Sequence, residues 1–498
     1  MQEKSLFNCY LIGEGNLLIE CAEILLRHNH EVRGIVSPDR SVEQWAKANN
    51  IVFLKNLQAL LALLKTTKCD YLFSVVNHSI LSPEILNLAG KSINYHDALL
   101  PRYAGINASA WAIINGEKQH GITWHEMAAG IDTGNIIKQI AIDLEPAETA
   151  LSLNLRCYQA AIAAFTELIA ELATDQLTLT PQSLEERSYF SRQQKPQALG
   201  LIDFEQPAAV IDNLLRGLDF GNYPNPLTTA KLLLNSVDHP DGMDLDYVTV
   251  TKVQVLPTKS PQLPGTIIDI QDSQLIVATP SQDIALQRLL TRQGEVTSVG
   301  ALAKDYQLKQ GQKLPTVSAE LSAGIVKLAG ELAPGESYWC KQLAKGQPFV
   351  LPGMQKLKNQ TAVQDYQQVK LPLSPAVVSS IQQTYGRSAL GEVIVAAWGI
   401  CLTRLSGNQQ ITIGFERSNS DRHLDLWFAD YLPVNVQITP EQNFAEVVEA
   451  IAQRRKLNQK YSTYARDLSL RYPQLANKPK NFAIAVPQEN QADYPKSD

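Results

Sequence analysis

Asn94 and His96 stand two residues apart in Ile93-Asn94-Tyr95-His96, and Asp132 follows in Gly130-Ile131-Asp132-Thr133-Gly134. On a strand, positions two apart project from one face while the residue between them, Tyr95, points away. An amide, an imidazole and a carboxylate together suit acyl transfer to a neutral amine. As the amine attacks a carbonyl carbon, charge gathers on the oxygen. The Asn94 amide and a protonated His96 can donate to that oxygen, each donor contributing about 3 kcal/mol. Asp132 can orient His96, favour its charged form and take the proton the amine loses. On residue types alone, His96 could equally cap a strand end. Asp132 could simply hold its own glycine-flanked turn.

The elements around these residues decide whether they meet. Apolar runs at Phe7–Ile12, Glu31–Val36, Tyr71–Val76 and Ser92–His96 predict strands. Between the first two, Leu18, Ile19, Ala22, Leu25 and Leu26 fall on one helical stripe. Ser41 and Gln44 form a capping box for a second helix, and Ser82-Pro83-Glu84 starts another that Gly90 ends. This alternation predicts an α/β fold with a doubly wound, mostly parallel sheet, whose ligands sit beyond the carboxyl ends of the strands. Two further strands near Gly121–Met127 and Asn135–Ile142 lead to a long helix from about Thr149 to Leu172. After a proline-punctuated stretch, short alternating segments over Gly265–Leu314 predict a small β-barrel-like unit. Beyond Lys313–Glu336, helical stripes at Gly391–Leu405 and Phe444–Arg454 surround strands at Ile411–Phe415 and Pro433–Ile438. The expected domains are residues 1–190, 191–320 and 330–498.

Composition narrows the function. The 498 residues exceed one core, and the net charge of −6, with Lys and Arg scattered, gives no general attraction to nucleic acid or an anionic membrane. Six cysteines, none in a CxxC pair, read as reduced thiols of a cytoplasmic protein. Neither a leader nor an apolar span is evident. Gly13-Glu14-Gly15 lacks the third glycine of a dinucleotide fingerprint, since Leu18 holds that place. His120 and His125 flank a strand without a third ligand at metal spacing, so no metal is expected. His125 could border the site or only pack.

The stretch from Asn94 to Gly134 resembles the formyltransferase family. That family shares an Asn-x-His, a Leu-Leu-Pro-x-Tyr-x-Gly run, here Leu99 to Gly105, and a later Asp-x-Gly turn, here Asp132 to Gly134. The likeness runs from about Leu6 to Leu314 and includes the Phe220–Pro226 segment. It implies a Rossmann-like domain with a barrel-like companion, catalysis by Asn94, His96 and Asp132, and 10-formyltetrahydrofolate as formyl donor without metal. The pterin would enter between a loop at Ser79, Ile80 and Leu81 and one at Ala128, Ala129, Gly130 and Ile131. Ala98, Leu99, Leu100 and Pro101 would line its pocket. The family often has Ser where Ala98 stands.

The last third resembles pieces of a nonribosomal peptide synthetase condensation domain, around Tyr338, from Leu390 and from Tyr431, without that domain's HHxxxDG motif. The two resemblances together imply a formylation domain of such a synthetase, followed by a partial, inactive α/β condensation-like segment. The implied acceptor is an aminoacyl group on a carrier protein's phosphopantetheine. An adenylation domain is the expected neighbour, because the chain stops at Asp498 without a closing element. An amino sugar nucleotide N-formyltransferase and a non-catalytic interaction module are the alternatives.

Overall fold

The computed structural model describes residues 5–236, 245–347, 372–386, 390–417, 424–478, 482 and 484–486. Seven strands form the first sheet: β1 (Asn8–Gly13), β2 (Glu31–Val36), β3 (Phe53–Leu54), β4 (Cys69–Val75), β5 (Ala89–His96), β7 (Gln119–Glu126) and β8 (Ile136–Asp143). A two-residue strand, β6 (Ala104–Gly105), lies outside it and pairs with β9 (Tyr189–Phe190). The sheet order is β3-β2-β1-β4-β5-β7-β8. Its first five strands run parallel, while β7 and β8 are antiparallel additions. The expected mostly parallel α/β sheet is thus the architecture found.

Helices α1 (Gly15–Arg27), α2 (Arg40–Ala48), α3 (Leu57–Leu64), α4 (Pro83–Leu88), α5 (Ala108–Ile114) and α6 (Ala150–Ala173) connect and cover it. α1 and α6 bury Leu18, Cys21 and Leu25 against Phe165, Leu168 and Ile169 in one core with Leu11, Phe73 and Trp124 of the sheet. Leu26, placed on the buried stripe by its spacing, is instead exposed.

Two helix ends differ from expectation. The cap of α2 is Asp39, whose carboxylate accepts from the Ser41 N–H at 2.9 Å, so the Ser41–Gln44 box is not used. The other Asp39 oxygen accepts from Gly15 N–H at 3.2 Å. That carboxylate engages an amide that a dinucleotide phosphate would need bare. Gly90 does not end α4 but lies inside β5. The cap at Ser82 is as read, and Thr149 caps the long helix α6.

After α7 (Ala208–Gly217), the second unit comprises two antiparallel four-stranded sheets rather than one closed barrel. One is β10 (Lys231–Asn235), β11 (Leu245–Val250), β16 (Leu289–Leu290) and β17 (Val296–Thr297). The other is β12 (Val253–Val255), β15 (Ile284–Leu286), β14 (Gln274–Val277) and β13 (Ile267–Gln271). Both share a core with Ala98, Trp111 and Ile211.

The last region runs through α8 (Val299–Asp305), α9 (Ala319–Leu332), α10 (Glu336–Lys345), α11 (Pro375–Tyr385), α12 (Leu390–Ser406), β18 (Gln410–Glu416), β19 (Tyr431–Gln437), α13 (Phe444–Tyr461), α14 (Leu468–Arg471) and β20 (Ala485–Val486). It does not hang free. Ile325, Trp427, Phe428 and Ala465 share one apolar cluster with Leu199, Leu233 and Tyr247 of the second unit, and Tyr247 stacks on Trp427. Five buried charges cross the same seam: Lys195 and Lys231 on one side, Glu336, Asp467 and Arg471 on the other. Burial pulls the Lys195 ammonium down to about 8, against the opposing pull of Glu336. The closing residues of the sequence lie outside the described residues.

Candidate active site

β5 ends at the carboxyl edge of the sheet and presents Asn94 and His96 there, paired in register with His125 and Thr123 of β7. Tyr95 turns into the core against Trp124. A cavity of about 1220 Å³ opens over this edge and includes Asn94, His96, His125 and Asp132 in its wall.

Asp132 is brought to them by its turn. Its φ is +53°, a left-handed conformation that Asp tolerates better than most residues. Gln182 clasps the turn, donating to the carbonyls of Asp132 at 3.0 Å and Gly134 at 2.6 Å. The Gly105 N–H donates to Asp132 Oδ2 at 2.8 Å. Gly105 has φ +103°, and a Cβ there would stand 2.2 Å from the Phe190 carbonyl oxygen, so only glycine presents its amide in this way.

The carboxylate then lies between two imidazoles. Oδ2 is 3.7 Å from His96 Nδ1 and Oδ1 is 3.6 Å from His125 Nε2. Burial on its own pushes the Asp132 carboxyl up. His96 above all, with the Gly105 amide, outweighs it and holds the group well below the usual carboxylate range. Asp132 is therefore an anion wherever the protein works.

Hydrogen bonds sort the ring nitrogens. His96 Nε2 is 2.8 Å from the Tyr103 carbonyl, which can only accept, so Nε2 carries hydrogen and Nδ1 is the atom left to face Asp132. His125 Nδ1 lies 2.7 Å from the Glu126 carbonyl and donates to it. In the neutral ring Nε2 is then an acceptor, and it takes one N–H of Asn94 Nδ2 at 3.1 Å. The Asn94 amide is oriented by that bond and keeps its second N–H. His125 is thus a working neighbour of the site, which its spacing in the sequence left open. The usable signal was its register opposite Asn94.

Of the expected donor contacts, Ser79, Ile80, Leu81, Ala128, Ala129, Gly130 and Ile131 all line the cavity. Ser79 spends its N–H on Asn77 Oδ1. Ile80 and Ile131 are exposed apolar side chains on these loops. Ala98, Leu99, Leu100 and Pro101 do not line the cavity. Ala98 is wholly buried and its carbonyl accepts from Thr123 Oγ1, Leu99 packs over Gly121, and the Leu100 N–H donates to Thr123 Oγ1. The run after His96 thus buttresses β7 from behind instead of forming a pocket wall. Arg102 pairs with Glu117, away from the cavity.

Further lining residues carried no site signal in the sequence, among them Leu151, Asn154, Leu155 and Tyr158 of α6 and the segment Tyr189 to Arg192, while Phe220, Tyr223 and Pro224 come from the Phe220–Pro226 segment of the resemblance. Among the described residues Arg192 is the only Lys or Arg in the wall, and it is exposed. No group of three or more His, Cys, Asp or Glu suited to a metal occurs among the described residues, and no single helix there is long and apolar enough to cross a membrane.

A pH prediction follows from Asp132. A carboxyl held this low contributes no ionisation between about pH 5 and 9. Asp132→Asn should lower the rate by a factor of about 10² to 10⁴ yet remove no acid limb from the pH–rate profile in that window. Loss of an acid limb on making this substitution, seen in kcat/KM against pH, would count against the assignment.

Comparison with known proteins fits this geometry. A family model described as formyl transferase matches residues 28–169, one for the formyl transferase C-terminal domain matches 195–307, and one for the condensation domain matches 299–478. A methionyl-tRNA formyltransferase of Clostridioides difficile is 28% identical over 317 residues, 60% of this chain and 97% of that protein. Another, of Alkaliphilus oremlandii, is 28% identical over 296 residues, covering 56% and 90%. The solved N-formyltransferase from Helicobacter canadensis, in complex with folinic acid and dTDP-3-aminofucose, aligns at 20% identity and TM-score 0.45 over 57% of this chain and 99% of its own. The chain is an enzyme that carries formyl transferase N-terminal and C-terminal domains in order and continues into a condensation-like domain.

Proposed function

We propose that this enzyme transfers the formyl group of 10-formyltetrahydrofolate to the amine of an aminoacyl group carried on the phosphopantetheine arm of a carrier protein, next to an adenylation domain, in nonribosomal peptide synthesis. The observation that carries this reading is the condensation-like domain, fused to the formyltransferase through a shared core and a buried ion cluster.

The donor loops fit a reduced folate. Ile80 and Ile131 offer two apolar surfaces at one cavity, as a flat pterin requires, and the backbone of 80–81 and 128–131 supplies polar groups beside them. Bound there, the folate supplies the formyl carbon. The free N–H of Asn94 and Nδ1–H of a protonated His96 polarise the formyl oxygen as it gains charge. Asp132 stays ionised and keeps Nδ1 aimed. So weak a base suits orientation better than the proton-accepting role read from its residue type. His96, once it has released its proton toward the folate nitrogen, is the group placed to take one from the attacking amine.

The acceptor side favours a thin arm over a nucleotide. A nucleoside diphosphate needs several cations or a bare helix start. The lining provides one arginine, Arg192, at the exposed rim, where it suits the single phosphodiester of phosphopantetheine. It also places Glu14 and Asp39 in the wall, which repel a polyanion. The test is mass spectrometry with 10-formyltetrahydrofolate and two acceptors, an aminoacyl-phosphopantetheine and an amino sugar nucleotide. Formylation of the first and little of the second is expected. Rapid formylation of the sugar nucleotide alone would reverse the assignment.

A further inference from the structure

With the loops after β4 and β7 assigned to the donor, Phe220, Tyr223 and Pro224 belong to the wall left for the acceptor. Tyr223 is 62% exposed. Little within the loop explains how it keeps its place: Gly221 N–H bonds Asp219 and Tyr223 N–H bonds the Phe220 carbonyl. Its anchor is the next residue, Asn225, which is buried. The Asn225 side chain donates to the carbonyls of Leu218 at 2.9 Å and Thr228 at 2.7 Å. Both of its backbone groups go to one residue 246 positions away. Asn225 N–H donates to the Arg471 carbonyl at 2.8 Å, and Arg471 Nη1 donates to the Asn225 carbonyl at 2.9 Å.

Arg471 is itself fixed. Its side chain is 1% exposed, with Nε on Asp467 Oδ1 at 2.9 Å and Nη2 on Glu336 Oε1 at 2.6 Å. Lys195, three residues after Arg192 of the cavity rim, approaches Glu336 at 3.6 Å and donates to the Pro226 carbonyl at 2.7 Å. Two cavity segments are therefore tied from behind to the same cluster. A planar fork can serve two carboxylates and a carbonyl at once, whereas an ammonium on a flexible stem cannot hold all three in one geometry.

We propose that Arg471, a residue of the condensation-like domain, is a positioning residue for formyl transfer: it fixes Asn225, and through it the Phe220–Pro224 wall of the acceptor site. The condensation-like domain is then a structural part of the formyltransferase site and not only an attached neighbour. This rests on formyl transfer at the cavity and not on which acceptor enters it.

The test uses the full chain carrying Arg471→Lys, which keeps the charge and removes the fork. Expected are a Kd for 5-formyltetrahydrofolate within about twofold of wild type and an acceptor KM raised about tenfold, equivalent to about 1.4 kcal/mol. Faster amide exchange over residues 218–226 is expected as well. Combined with Tyr223→Ala, the effects on acceptor kcat/KM should be less than additive, since both act on one wall. Additive effects, unchanged exchange over 218–226, or a parallel loss of folate and acceptor binding would overturn the proposal. If Arg471→Lys does not fold, Glu336→Gln loosens the same guanidinium and faces the same outcomes. A wild-type protein that binds folate yet formylates neither acceptor rejects the carrier reading, and the exchange data alone then decide the clamp.

Discussion

His96→Ala should slow single-turnover formyl transfer by about a hundredfold or more while the protein stays folded. The two ring nitrogens explain why both halves of that statement hold. Nε2 is committed to the Tyr103 carbonyl, so the ring cannot swing out, and Nδ1 is held toward the Asp132 carboxylate. Removing the ring deletes a donor that faces the cavity. It also leaves the Tyr103 carbonyl short of a partner in a buried place, a penalty of about 1 to 3 kcal/mol. That is well inside the 5 to 15 kcal/mol by which domains are ordinarily stable. Asn94→Ala should cost a similar factor, because the amide donor disappears and His125 Nε2 loses the bond that orients the pair. The double variant should be little worse than either single, since the two donors act on one oxygen. Quench-flow rates under saturating donor, with circular dichroism as the folding control, are the measurement. Near wild-type rates in both single variants would move the chemistry elsewhere in the cavity.

The sequence made the strand bearing Asn94 and His96 legible because apolar runs and caps are local, and four of the five strands of the parallel half follow from stretches of five or six residues, the two-residue β3 being the exception. What escaped it was set by distance. The Leu99–Pro101 run looks like a pocket wall in one dimension, but β7 approaches from the other side of the sheet edge, and Thr123 draws Leu100 and the Ala98 carbonyl inward. The Asp39 cap was hidden by a better-looking box that starts two residues later. Its second oxygen serves Gly15, twenty-four positions back, and so it favours one helix start by securing two. Asp132, Gly105 and Gln182 form one clasp from three segments, of which Gln182 carries no recognisable signature. The acceptor wall is the extreme case, because Asn225 and Arg471 meet across 246 positions and neither stands in a motif that announces a partner.

Asp467→Ala should destabilise the chain by about 3 to 5 kcal/mol, the usual consequence of removing one member of a buried ion cluster. Asp467 is 2% exposed and accepts from Lys231 Nζ at 2.8 Å, Arg471 Nε at 2.9 Å, Thr228 Oγ1 at 2.9 Å and Thr229 N–H at 3.0 Å. The substitution leaves two buried cations facing each other with one carboxylate fewer between them. Burial alone raises the Asp467 carboxyl, but Lys231 and Arg471 outweigh it and hold the group far below the ordinary range. A carboxyl with a depressed folded pKa stabilises the fold above its unfolded pKa, near 4, and that contribution fades as pH falls through the folded value. The seam should accordingly hold at neutral pH and loosen first in strong acid, a sensitivity that Asp467→Ala should abolish. Adding Lys231→Met to Asp467→Ala should recover part of the loss, since it removes a stranded ammonium and places an apolar chain beside Tyr247. Denaturant melts at pH 7 read both effects. A loss under about 1 kcal/mol for Asp467→Ala, or no recovery in the double variant, would mean that the apolar cluster around Trp427 and Phe428 holds the condensation-like domain without help from the charges.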